Sequence, residues 1–110
     1  MSAEEFERLT QDIVIRLRNG YDPDKIILFG SFAAESVTAA SDIDLLIVKR
    51  TGDRFIDRWS KVRKILSDTT RTVALDTFVL TPQEVSERLA RGDQFLAAVL
   101  QKGKVLYAAS

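Results

Sequence analysis

Two aspartates separated by one apolar residue stand at the start of an apolar segment near the middle of the chain. They are Asp42 and Asp44, and residues 45–48 after them have the length and character of a buried strand. Side chains two apart on a strand point to the same face, so we expect the two carboxylates side by side. Like charges this close repel each other unless a cation lies between them. Magnesium suits such a pair, because it binds carboxylate oxygens together with phosphate oxygens and water.

A Gly-Ser pair ends the apolar segment that comes before these aspartates. Residues 26–29 form a run long enough for a strand, and Gly30 and Ser31 follow it directly. Glycine lets the backbone approach a ligand closely, and backbone N–H groups with a hydroxyl suit phosphate oxygens. The pair and the aspartates together predict a site for a metal ion and a nucleotide. The alternative is an ordinary turn at residues 41–42 followed by a solvated strand end.

A third aspartate lies inside a segment whose composition predicts a strand. Asp76 belongs to residues 71–80, which are rich in β-branched and apolar side chains. A carboxylate in such a strand is costly to bury without a partner. If this strand lies beside that of Asp44, the carboxylates meet and can hold two metal ions roughly 3.5–4 Å apart, as in nucleotidyl transfer. The alternative is an ion pair between Asp76 and an Arg or Lys at a sheet edge.

The spacing of these residues resembles the nucleotidyltransferase superfamily that includes DNA polymerase beta. Ten residues separate Gly30-Ser31 from Asp42-Ile-Asp44-Leu, and Asp76 lies on a later strand. The short chain looks like the minimal nucleotidyltransferase (MNT) branch of that superfamily. The resemblance implies ATP or another NTP as donor, two Mg²⁺ ions, and transfer of an NMP group to a hydroxyl. It also implies that Asp42, Asp44 and Asp76 ligate the metal, with Asp76 helping to activate the acceptor hydroxyl.

Nucleotide contacts are implied by the same resemblance at Gly30 and Ser31, which would touch the triphosphate, and at Ser41. The chain departs from the family pattern Gly-Ser-x-Ala-Arg-Gly, because Ala34 and Glu35 stand where the Arg and the second Gly are common. A carboxylate near a triphosphate is unfavourable unless it points away. A weak or inactive nucleotidyltransferase-fold module that inhibits a partner by binding is therefore one alternative to an active enzyme.

The resemblance to the MNT branch also implies a partner. MNT proteins pair with HEPN-domain proteins, often as antitoxins that add AMP to a Tyr of a toxic RNase. We expect the same function here, with a protein hydroxyl as the acceptor. A second alternative is transfer to a small hydroxylated molecule such as an aminoglycoside, which would need a further domain or a second copy to complete the pocket. The sequence leaves open both a homo-oligomer and a hetero-oligomer.

Composition narrows the chemistry further. Sixteen basic and sixteen acidic residues give a formal net charge of zero, which argues against non-specific binding to nucleic acid. The chain has no Cys and no His, so carboxylate–metal chemistry is favoured over Ser-His or Cys-His mechanisms. No apolar run reaches the roughly 20 residues of a membrane span, and the N-terminus has no signal-peptide pattern. The expected location is the cytoplasm.

The helices and strands that must position the site are predicted to form one domain over residues 1–110. Its fold class is α/β (α+β), with a small mixed sheet of about four strands flanked by helices, mainly on one side. The short connection between the first two strands favours an antiparallel pair, which brings Gly30 and Ser31 close to Asp42 and Asp44. Predicted helices cover residues 2–19, a short segment at 31–36, and residues 53–66, 82–91 and 94–102; predicted strands cover 25–29, 42–48, 71–80 and 104–107.

Two of these helices carry predictions about burial. In the helix at 53–66, the apolar face is expected to be buried and the basic stripe beside it to be solvated, although the stripe also suits an acidic partner. The expected apolar face consists of Ile56, Trp59, Val62 and Leu66, and the stripe of Arg54, Arg58 and Lys61. In the last helix, Phe95, Leu96 and Val99 are expected in the core, with a partner-facing patch as the alternative.

Overall fold

A computed structural model of the chain describes residues 2–30, 43–68 and 73–109. The predicted short helix at 31–36 lies outside these residues. No helix in the described ranges has both the length and the apolar character needed to cross a bilayer. The described elements are α1 (Ala3–Gly20), β1 (Lys25–Phe29), β2 (Ile43–Val48), α2 (Phe55–Leu66), β3 (Leu75–Leu80), α3 (Pro82–Ala90), α4 (Gln94–Lys102) and β4 (Lys104–Ala108).

The strands form one mixed sheet in the order β3-β2-β1-β4. Strand β1 runs antiparallel to both β2 and β4, whereas β2 and β3 are parallel. The predicted mixed sheet and the antiparallel pairing of the first two strands are confirmed. The parallel pair is the arrangement on which an approach of Asp76 to Asp44 depends, because it puts the starts of β2 and β3 side by side.

Helices cover both faces of this sheet. On one face, α1 and α2 pack against the sheet through a cluster that includes Ile13 and Leu17. On the other face, α3 and α4 pack through a second cluster that includes Leu96 and Val99. The prediction that the helices lie mainly on one side is therefore wrong. The reason is visible in β2, where consecutive residues 45–47 are all fully buried, so both faces need a cover.

The second helix, α2, buries a different face from the predicted one. Val62 and Leu66 are fully buried as expected, but Ile56 and Trp59 are 57% and 39% exposed. Their place against the sheet is taken by Arg58, which is only 7% exposed although it was expected in the solvated stripe. The predictions for Ile56, Trp59 and Arg58 are therefore wrong, because hydrophobic periodicity ranks side chains by polarity and cannot show which cations have buried partners.

The guanidinium of Arg58 is buried because its donors are satisfied. Its Nε donates to the backbone oxygen of Asp53 at 2.9 Å, and its Nη1 donates to Oε1 of Glu84 at 2.6 Å. A buried charge is tolerated when it is paired and hydrogen-bonded in this way. The other members of the stripe, Arg54 and Lys61, are exposed and pair with nearby aspartates. For these two residues the predicted solvated face is correct.

The ion pair between Arg58 and Glu84 should make the stability of the fold depend on pH. Burial acts to raise the pKa of Glu84, but hydrogen bonds from Arg58 and Thr81 outweigh it and hold the pKa below its usual 4.5. A lowered folded-state pKa stabilises the protein above the unfolded-state pKa, and this stabilisation is lost as the pH falls through the folded-state value. We expect Glu84→Gln to lower the free energy of unfolding at pH 7 by about 1–3 kcal/mol. The free energy of unfolding of this variant should also fall less steeply than that of the wild type as the pH is lowered.

Urea unfolding at a series of pH values measures both effects. The matched control is Glu87→Gln on the same helix, whose carboxylate pairs with Arg91 at 3.7 Å near the surface. Exposed ion pairs of this kind contribute about 0–1 kcal/mol to stability, so the free energy of unfolding of the control should stay close to that of the wild type at every pH. If the free energy of unfolding fell equally steeply with decreasing pH in the wild type and in Glu84→Gln, Glu84 would not be the cause of the pH dependence.

Candidate functional site

Three residues form a row across the sheet where β2 and β3 begin. Phe29 on β1 lies opposite Asp44 on β2, and Asp44 lies opposite Asp76 on β3. Opposed residues on neighbouring strands point to the same face, and the strands lie about 4.7–4.9 Å apart. The strand register therefore makes the carboxylates of Asp44 and Asp76 direct neighbours, as the sequence predicted for adjacent strands.

The rest of the predicted site lies outside the described residues. This applies to Ser31, Ser41 and Asp42, and also to Ala34 and Glu35. Within the described ranges, no group of three or more His, Cys, Asp or Glu side chains is gathered as metal ligands would be.

The described carboxylates nevertheless fit a magnesium ion. Asp44 and Asp76 offer two neighbouring carboxylates. Mg²⁺ typically takes one or two carboxylates from a protein and completes its shell with phosphate oxygens and water. The two described donors are thus of the right kind and number for part of such a site.

Gly30 provides a seat for the carboxylate of Asp44. Its φ is +79°, in the left-handed region that L side chains rarely adopt. A Cβ at this position would clash with Oδ2 of Asp44 and come within 3.2 Å of its Cγ. Sequence analysis predicted that this glycine lets the backbone approach a ligand. The geometry gives Gly30 a structural role, since both the turn after β1 and the position of the Asp44 side chain require a residue without a Cβ.

The two carboxylates differ in their surroundings. Asp44 is half-buried, whereas Asp76 is exposed on β3, which is an edge strand. The next row inward on the same face is apolar, with Leu46 opposite both Ile27 and Phe78. Among the described residues, no Arg or Lys lies within ion-pair distance of Asp76, so the alternative of a structural ion pair has no partner in this part of the chain.

A cluster of three aromatic rings borders the carboxylate pair. The ring centroid of Phe29 lies 5.8 Å from that of Phe78 and 5.8 Å from that of Phe95, and both contacts are edge-to-face. Leu96 and Val99 of α4 are buried as predicted, but Phe95 is 59% exposed and not part of the core. Sequence reasoning missed this cluster, because only the register shows that Phe29 and Phe78 share a face with the aspartates.

Comparison with known proteins identifies the family. The family model described as polymerase beta, nucleotidyltransferase, matches residues 11–110. No curated protein is significantly similar to this sequence.

Several solved structures share the fold. A toxin–antitoxin structure with AMP-PNP superposes with a TM-score of 0.60 and 23% identity, over 92% of this chain and 74% of that chain. The toxin–antitoxin MntA-HepT gives a TM-score of 0.58 and 21% identity, over 94% and 73%. The tri-AMPylated Shewanella oneidensis HEPN toxin in complex with MNT antitoxin gives 0.56 and 22%, over 94% and 72%.

These likenesses and the family match agree with the architecture. At such identities the superpositions show the fold, a four-stranded mixed sheet with flanking helices. The family match spans nearly the whole chain and includes β2 and β3, which carry the two neighbouring carboxylates. The chain belongs to the polymerase beta nucleotidyltransferase family.

Proposed function

We propose that residues 1–110 act as one minimal nucleotidyltransferase domain that transfers AMP from ATP to a hydroxyl of a partner protein, with Mg²⁺. The observation that carries this proposal is the pair of carboxylates on adjacent parallel strands, Asp44 and Asp76, with Gly30 against the first of them. Membership of the nucleotidyltransferase family supports the class of reaction. The donor, the metal and the acceptor are part of the proposal.

Each described residue has a distinct role in the proposed reaction. The acceptor oxygen bonds to the α-phosphorus of ATP, pyrophosphate leaves, and the hydroxyl proton passes to a carboxylate. Bound Mg²⁺ would neutralise charge on the triphosphate and polarise the phosphoryl oxygens. Asp44, with Asp42, would hold the metal on the donor side, and the missing Cβ of Gly30 leaves room for the Asp44 carboxylate. Asp76 would complete the metal site and accept a hydrogen bond from the attacking hydroxyl.

Exposure of the site favours a macromolecular acceptor. Asp76 is exposed on an edge strand, so an acceptor can reach its carboxylate from outside the sheet. A protein acceptor brings its own surface to cover such a site, whereas a small molecule would need further walls. The similar structures include an MNT antitoxin with an AMPylated HEPN toxin, which supports a HEPN-domain partner and an antitoxin role for this chain.

The test measures the mass of the partner. The purified chain is incubated with Mg²⁺, ATP and the product of the neighbouring reading frame as the candidate partner, and the partner is weighed intact by mass spectrometry. We expect a gain of one or more AMP units, which is lost with EDTA and in the Asp44→Asn variant. The control is Asp12→Asn on α1, which packs on the opposite face of the sheet and should transfer normally.

Other outcomes would overturn parts of the proposal. A stable complex without any mass gain would exclude transfer and support the alternative of an inhibitory binding module. Nucleotide transfer to an aminoglycoside but not to the partner protein would exclude the proposed acceptor while keeping the chemistry.

A further inference from the structure

A cavity of about 330 Å³ lies between the end of β1 and helix α4, beside Gly30. Its volume falls at the small end of ligand pockets, which span roughly 300–1,000 Å³. Lys102, at the end of α4, is the charged residue of its described lining. The walls are otherwise almost entirely apolar: Phe29, Phe95, Ala98 and Val99.

The cavity adjoins the candidate site on the side away from Asp76. It shares Gly30 with the Asp44 seat, and it shares Phe29 with the row that runs on to Asp44 and Asp76. In the strand order, β1 and β3 lie on opposite sides of β2. A ligand with phosphates at Gly30 and Asp44 can therefore reach the cavity without crossing Asp76. The Asp76 side stays open for an acceptor.

The lining of the cavity suits a flat aromatic ring with an anionic attachment. Phe95 contacts Phe29 and Phe78 on one side, yet 59% of its surface is exposed, so the ring is held in place and still accessible. Aromatic side chains of this kind are stacking platforms for nucleobases. The ammonium group of Lys102 adds a positive charge where a phosphorylated ligand would lie.

We propose that this cavity binds the nucleobase of the donor nucleotide. The proposal rests on the proposed function, because it assumes that a nucleoside triphosphate occupies the adjacent carboxylate site. It assigns Phe95 as a binding residue and α4 as the element that distinguishes a nucleotide from a bare triphosphate. It also divides the site, with the base on the α4 side of β2 and the acceptor on the β3 side.

The test compares ATP with inorganic tripolyphosphate by calorimetry, each with Mg²⁺ and without the partner protein. The wild type should bind ATP more tightly than tripolyphosphate. Ala98→Leu places a larger side chain in the cavity, and Phe95→Ala removes the ring; each should weaken ATP binding about 10-fold and leave tripolyphosphate binding unchanged. The matched control is Ala97→Leu, the same substitution at the neighbouring exposed position of α4, which should bind both ligands as the wild type does.

The outcomes separate this inference from the proposed function. If the wild type binds neither ligand, the proposed function fails and the nucleobase site with it. If both ligands bind but the Ala98→Leu and Phe95→Ala variants keep full affinity for ATP, only the nucleobase site is wrong. Slower transfer by these variants at unchanged ATP affinity would assign the cavity to the acceptor instead. Phe95→Ala keeps the test valid if the larger side chain at position 98 disturbs folding, because Phe95 is largely exposed.

Discussion

Asp76→Asn should abolish transfer and leave most of the affinity for ATP intact, whereas Asp44→Asn should lose both. The expected difference follows from position, because Asp44 lies against Gly30 in the middle of the row and Asp76 is exposed at its outer end. Removing either carboxylate should slow transfer by roughly 100-fold or more, as is typical when one charge-stabilising group is lost. Single-turnover rates and calorimetric ATP affinity in Mg²⁺ measure the two effects separately.

Stability gives an independent measure of the same carboxylate pair. Like charges directly opposite on neighbouring strands destabilise a sheet by roughly 0.2–1 kcal/mol. Asp76→Asn removes one of them, so without metal it should raise the free energy of unfolding by about that amount. In saturating Mg²⁺ the gain should disappear, because the wild type then gains stability by binding the ion.

For the ATP-binding prediction, an equal loss of ATP affinity in Asp44→Asn and Asp76→Asn would contradict the division of roles between the donor side and the acceptor side.

Local features of this fold could be predicted because they are written in short stretches of sequence. The N-terminus of α3 is an example: Thr81 accepts a hydrogen bond from the Glu84 N–H at 3.1 Å, and the Glu84 carboxylate accepts one from the Thr81 N–H at 2.8 Å. Three residues of spacing are enough to predict this reciprocal cap. The strands were predicted for a similar reason, since short apolar runs bounded by turn residues are local patterns.

Features that depend on distant contacts could not be predicted in the same way. The burial of Arg58 depends on Glu84, which lies 26 residues away and on another helix. The approach of Asp76 to Asp44 was only conditional, because no local pattern fixes the order or the register of strands. The aromatic cluster needed the same register, and it also needed the packing of α4 on the second face of the sheet.

Gly30→Ala should impair both stability and transfer, whereas Gly92→Ala should impair stability alone. Both glycines have a positive φ, +79° and +84°, so an alanine at either position is strained by about 1–2 kcal/mol. At Gly92 an added Cβ meets no atom within 4 Å among the described residues beyond its chain neighbours, so backbone strain is the whole expected cost. At Gly30 the new Cβ also collides with Oδ2 of Asp44. The carboxylate must then move from its seat, and we expect a loss of transfer close to that of Asp44→Asn.

A double-mutant cycle tests whether the two residues act as one unit. If Gly30 supports catalysis by seating Asp44, then adding Gly30→Ala to Asp44→Asn should slow transfer little further, because the carboxylate is already gone. Independent effects would instead multiply, and they would assign Gly30 a direct contact with the triphosphate. The combination of Gly92→Ala with Asp44→Asn is the reference, and its effects on stability should simply add. Transfer rates at saturating ATP, together with urea unfolding of all six proteins, measure the coupling directly.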